Sequence, residues 1–140
     1  MINNKLFSEI FEEFEKAETK QDRINVLRKY DHPRLREFFI YLFNPTFEFD
    51  VEIPKYRPAQ EPGGLNYTYL DIEIPKLYRF IKNHRNRPPG LTPEKQKSLL
   101  IVILESLHKD EAEILVKLIK KDLGIKFLTV KLVQEAYSGL

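Results

Sequence analysis

Six residues that interrupt helices, Pro45, Pro54, Pro58, Pro62, Gly63 and Gly64, fall between Asn44 and Asn66. Proline has no amide to donate and glycine gains too much freedom on unfolding, so no continuous helix crosses this stretch. Whatever the rest of the chain builds must be arranged around a long connection. Inside it Phe47, Phe49, Val51 and Ile53 alternate with Glu48, Asp50 and Glu52. That period of two describes one extended segment with an apolar side and an acidic side. A single strand makes no sheet, and the sequence offers it no partner. The segment is therefore expected to lie over the remaining structure, with Tyr56 and Tyr67 pinning the loop.

Outside residues 44–66 the apolar side chains keep a helical period. Ile2, Leu6, Phe7, Ile10, Phe11 and Phe14 fall on one stripe. Thr19 stands as the N-cap of a second helix, with Asp22 three residues on and Ile24 and Leu27 facing inward. Asp31-His32-Pro33 opens a third, which carries Leu35, Phe38, Phe39, Leu42 and Phe43. After the loop, Thr68 with Asp71 predicts a helix start, and Leu70, Ile74, Leu77, Tyr78 and Ile81 continue the period through Pro75, a residue that kinks the helix or marks its first turn. Thr92-Pro93 opens a helix buried through Leu99, Leu100, Ile103, Leu104 and Leu107. Ile101 and Val102 widen its apolar arc, which predicts a central position. Asp110 with Glu113 reads as a capping box for the next helix, which buries Ile114, Leu115, Leu118 and Ile119 and ends before Gly124. Thr129 opens the last helix, with Leu132, Val133, Ala136 and Tyr137. The expected fold is all-α: a single helical domain over residues 1–140, six or seven helices and one long Pro/Gly-rich extended loop.

A chain of 140 residues with 42% hydrophobic content fits one core. No apolar run approaches the roughly 18 to 20 residues that cross a bilayer, and the opening Met1-Ile2-Asn3-Asn4-Lys5 leads into Glu9, Glu12 and Glu13. Neither secretion nor membrane spanning is expected. The absence of cysteine excludes disulfides, thiol nucleophiles, iron-sulfur clusters and cysteine zinc sites. His32, His84 and His108 stand too far apart, without a helically spaced second His, to form a metal motif, so surface or capping roles are expected for them. Phosphate-loop, G-x-S-x-G, G-x-G-x-x-G and H-E-x-x-H motifs are all missing. No catalytic residue, cofactor or metal ligand is therefore assigned. The acidic side Glu48, Asp50 and Glu52 is what a solvated strand face produces.

The net charge of +2 conceals an asymmetry. Residues 1–70 hold 10 basic and 12 acidic side chains, residues 71–140 hold 13 and 9. Two clusters account for the excess. Lys76, Arg79, Lys82, Arg85, Arg87, Lys95 and Lys97 surround a Pro-Gly turn against the single acid Glu94, and Lys117, Lys120, Lys121, Lys126 and Lys131 face only Asp122. Such clusters suit phosphate groups, the second with help from the amides at the helix start near Thr129. They equally suit a solvated surface, since lysines near helix C-termini complement the helix dipole.

Two resemblances bear on these clusters. The order Leu6 to Ile10, Thr19-Lys20-Gln21, Leu35 to Leu42, a proline-bearing loop, Lys121-Asp122-Leu123-Gly124-Ile125 and Val133-Gln134-Glu135-Ala136-Tyr137-Ser138-Gly139-Leu140 resembles the helical N-terminal DNA-binding domain of phage-type ATP-dependent DNA ligases. The chain also resembles a family of small uncharacterised proteins of contractile-tailed phages that infect cyanobacteria and marine bacteria. There the matching residues are Gly63-Gly64-Leu65, Leu77-Tyr78-Arg79-Phe80, Gly90-Leu91-Thr92, Leu104-Glu105-Ser106-Leu107-His108 and Glu111-Ala112. It departs from a ligase in lacking a K-x-D-G nucleotidylation motif; its nearest string, Lys120-Lys121-Asp122-Leu123, has no glycine.

The resemblances imply a non-catalytic DNA-binding or DNA-metabolism accessory protein in the cytoplasm of an infected bacterium. It would contact double-stranded DNA along its backbone through Arg85, Arg87, Lys95, Lys97, Lys120, Lys121, Lys126, Thr129 and Lys131. The rival expectation is an assembly adaptor that docks onto a phage or host protein through the 44–66 loop, with Phe47, Phe49 and Tyr56 as the contact residues.

Overall fold

A computed structural model describes residues 1–140. Seven α-helices follow one another: α1 (Phe7–Lys16), α2 (Lys20–Lys29), α3 (Pro33–Phe43), α4 (Leu70–Glu73), α5 (Pro93–Ser106), α6 (Lys109–Ile119) and α7 (Val130–Ala136). A 3₁₀ segment, Ile74–Phe80, continues α4. The fold is the all-α bundle the periodicity predicts, and no helix is long and apolar enough to cross a membrane.

The helix starts follow the chemistry of their caps. Thr19 Oγ1 accepts the Asp22 amide at 3.1 Å, and Thr92 and Thr129 do the same for Lys95 and Leu132. Three starts differ from expectation. Ile2 is buried yet lies outside α1, because Asn3 and Asn4, both at positive φ, close a tight turn bridged between Ile2 and Lys5. Asparagine tolerates that conformation better than most side chains. Thr68 does not cap α4: its hydroxyl donates to Glu73 at 2.7 Å, and Tyr69 takes the N-cap position. In α6 the cap is His108, whose Nδ1 accepts the Asp110 amide at 3.1 Å, and Asp110 lies inside the first turn. Pro75 marks a first turn, as one of the two expectations has it, but of the 3₁₀ segment, where the chain narrows from α to 3₁₀ geometry.

One continuous core of 32 buried residues draws on the chain from Ile2 to Tyr137. Phe7, Phe11, Phe38 and Phe39 meet mostly edge-to-face at its centre, a geometry that the ring quadrupoles favour. The central helix is α6 rather than α5. It packs against α1, α3, α4 and α5, whereas Val102 on α5 is 62% exposed and adds nothing to the buried arc. Glu111, 1% exposed, reaches from the first turn of α6 to accept two amides, Phe7 at 3.0 Å and Leu70 at 3.0 Å. One carboxylate thus receives the leading amides of both α1 and α4.

The extended segment does find a partner. Asp50 donates its amide to Phe80 at 3.0 Å and Glu48 accepts the Lys82 amide at 2.7 Å, so that Phe49 pairs with Ile81 across an antiparallel bridge. Further contacts fix the loop along its length. Lys121 Nζ donates to the carbonyls of Asn44 and Phe47 at 2.7 and 2.6 Å. Arg57 donates its amide to Glu105 at 2.7 Å, and the Tyr69 hydroxyl donates to Gly64 at 2.7 Å. Tyr56 packs half-buried against the core as expected, but Tyr67 is 87% exposed and pins nothing.

Candidate nucleic-acid interface

The nine basic and capping residues singled out by the sequence do not form one surface. Arg87 forks onto Asp50, with Nη1 2.7 Å from each carboxylate oxygen, and also donates to the Ile81 carbonyl. Lys121 is held by the two loop carbonyls, and burial lowers the pKa of its ammonium. Both cations therefore secure the 44–53 segment, which leaves little of either for a ligand. Lys97 lies 3.6 Å from Glu52. Arg85, Lys95 and Lys120 are exposed and have no carboxylate within ion-pair distance.

The remaining three, Lys126, Thr129 and Lys131, gather where α7 begins. An open cleft of about 380 Å³ lies there, with Thr129 and Lys131 on one side and Lys20 and Arg23 of α2 on the other. The packing of α2 on α7 brings the two sides together. Its single carboxylate, Glu135, is already 3.0 Å from Lys20 Nζ. Arg23 and Lys131 thus face the cleft without an acidic partner. Arg23 is held in place: Nη2 donates to the Glu18 carbonyl at 3.3 Å, and its guanidinium carbon lies 3.9 Å from the ring centroid of Phe127. Lys126 Nζ stands 5.0 Å from the same ring. A guanidinium fixed over an aromatic face loses less freedom on meeting a phosphate than a solvated one does. The Thr129 hydroxyl, accepting the Leu132 amide at 3.2 Å, keeps its own proton for donation.

Phe127 is the residue the sequence reading missed, along with Lys20 and Arg23. Lys20 and Arg23 share one polar face of α2, three residues apart, and show no signal beyond that. Phe127 belongs to no apolar stripe and sits between Gly124 and the Thr129 cap, a position where an aromatic side chain has no helix to pack on. Its backbone is at φ 69°, a left-handed conformation that costs a bulky residue roughly 1–2 kcal/mol. Yet 48% of its surface is exposed.

The other sequence candidates point inward. Phe47 and Phe49 set their edges against Tyr41 at 5.3 and 6.1 Å between centroids. Tyr56 is half-buried, and burial raises its phenol. The exposed apolar side chains of the loop are instead Leu65 and Tyr67. All three histidines accept through Nδ1 at 3.1 Å the amide two residues on; His32 and His108 thereby cap α3 and α6, whereas His84 lies in a turn. No group of three or more His, Asp or Glu side chains converges in a way that could hold a metal ion. A second cleft, between α1 and α6, has the opposite sign: Glu9, Glu12, Glu15, Asp110 and Glu113 line it, with Lys117 the one lysine. Phosphates are repelled there.

Among known proteins, the model of DUF6433, a family of unknown function, matches residues 10–125. That span includes Lys20 and Arg23 and ends just before Lys126. No curated protein and no solved structure gives a significant match.

Proposed function

The chain belongs to the DUF6433 family, and we propose that it is a non-catalytic DNA-binding accessory protein of a phage, gripping the phosphate backbone in the cytoplasm of an infected bacterium. The observation that carries this reading is the convergence of Arg23 and Lys131, from elements about a hundred residues apart in sequence, on one cleft whose only carboxylate is already paired, with Lys126 beside the Phe127 ring that borders it. Unopposed cations at a concave site raise the local potential and attract phosphates. Arg23 supplies a planar fork for two phosphate oxygens, and Lys131 and Lys126 supply point charges. Contacts of this kind position a backbone and carry no sequence information.

The test is a titration of intact and nicked duplex DNA over a salt series. Binding should fall steeply with salt because each phosphate contact releases counterions. Arg23→Ala should weaken binding to all sequences alike and reduce the salt slope by roughly 0.9. Absence of a complex even at about 50 mM salt rejects the reading. The adaptor reading keeps one supporting observation, the exposure of Leu65 (71%) and Tyr67 (87%) on the loop. It requires Tyr67, rather than Phe47, Phe49 or Tyr56, to make the docking contact.

A further inference from the structure

We propose that Phe127 is a stacking platform for an unpaired DNA base, so that the cleft takes a single-stranded segment with its phosphates on Arg23 and Lys131 and one base against the ring. This rests on the phosphate-binding reading above and names the form of DNA bound.

The turn between α6 and α7 does not call for a phenyl ring. At φ 69° glycine or asparagine would serve with less strain. Core packing does not require the ring either, since Phe127 is absent from the buried cluster and is 48% exposed. What the unusual backbone achieves is placement: the ring lies under Arg23 at 3.9 Å and borders the cleft that holds Thr129 and Lys131. Aromatic rings beside a line of cations are how single-stranded nucleic acid is bound without sequence preference, because every base has a π face and lies next to its own phosphate. In a duplex the base faces are covered by their neighbours. A surface ring can therefore stack only on a base that is unpaired, at a single strand, an overhang or a frayed end.

The experiment measures the affinity of the full chain, at low salt, for a thymidine single strand, for a blunt duplex of the same length, and for that duplex with a single-stranded overhang. The parent protein should favour the single strand and the overhang over the blunt duplex. Phe127→Gly should lower single-strand affinity by roughly 5- to 150-fold, the range that loss of one base–aromatic stack gives. Because it also removes the seat of Arg23, blunt-duplex affinity should fall too but by less, so that the preference for the single strand is what the variant loses, and it should melt no lower than the parent, because glycine accepts the backbone conformation. Phe127→Tyr should retain the preference. Phe127→Leu, apolar but without a π face, should lose it, which preserves the test if the glycine variant is unstable. Equal affinity of the parent for single strand and blunt duplex, or a Phe127→Gly variant that binds single strands like the parent, overturns the stacking platform. If Lys131→Ala still weakens binding in that case, the phosphate reading survives alone. A parent protein that binds none of the three substrates overturns both.

Discussion

Glu111 shows how one side chain can tie three helices together and make the fold respond to pH. Its oxygens accept the leading amides of α1 and α4 while its own backbone sits in the first turn of α6. Those amides favour the carboxylate, but burial opposes it more strongly and pushes the group up to about 7 from an ordinary 4.5. The folded state therefore holds a proton that the unfolded chain releases between those values. A raised acid stabilises the fold fully below about pH 4.5, and that contribution is lost as pH rises through 7, on the order of 3 kcal/mol in all. Urea melts of the parent at pH 5 and pH 8 should show the loss. Glu111→Gln should flatten this part of the profile, since the amide does not titrate. It should also cost about 1–3 kcal/mol at pH 5, because its NH₂ group meets a helix amide that then lacks an acceptor. A parent and a variant with parallel pH profiles would mean that Glu111 keeps its ordinary proton affinity in the fold.

At the level of elements, the sequence was most informative where the signal is local. Amphipathic stripes and the Thr19, Thr92 and Thr129 caps are set by neighbours within one turn, and those helices form where the period predicts. The bridge from Phe49 to Ile81 and the grip of Lys121 on Asn44 and Phe47 join residues far apart in sequence through backbone groups that every residue has, so no pattern announces them. The same applies to the cleft. Its two sides come from α2 and from the start of α7, and only the packing of those helices sets Arg23 opposite Lys131. At α6 the sequence predicts Asp110 as the cap, but the His108 imidazole holds the position. His108→Ala should therefore cost about 0.5–2 kcal/mol in denaturant melts, as loss of a true N-cap does. Asp110→Ala should cost less than half as much, its carboxylate adding only a favourable interaction with the helix dipole. The reverse order would put the cap back on Asp110.

Across the whole molecule the charges separate into two clefts of opposite sign, one between α1 and α6 lined by five carboxylates, the other between α2 and α7 lined by unopposed cations. A polyanion approaching from solution is steered away from the first and toward the second. The exposed Arg85 and Lys95 compete for the same ligand, because they too have no acidic partner. Charge alone does not separate the two basic regions, but preorganisation does. Near the Pro-Gly turn Arg87 is committed to Asp50 and Lys97 approaches Glu52, so two of the cations that would share a site with Arg85 are neutralised. In the cleft the one acid is occupied by Lys20, and Arg23 is already seated on Phe127. Paired substitutions should divide accordingly. Lys126→Ala with Lys131→Ala should lower DNA affinity at every sequence and reduce the salt slope by about 1.8, the value for two lost phosphate contacts. Arg85→Ala with Lys95→Ala removes the same formal charge and should leave the slope near that of the parent. Equal reductions from both pairs would mean that DNA responds to net charge rather than to a built site, and a reduction from the second pair alone would move the interface to the turn before α5.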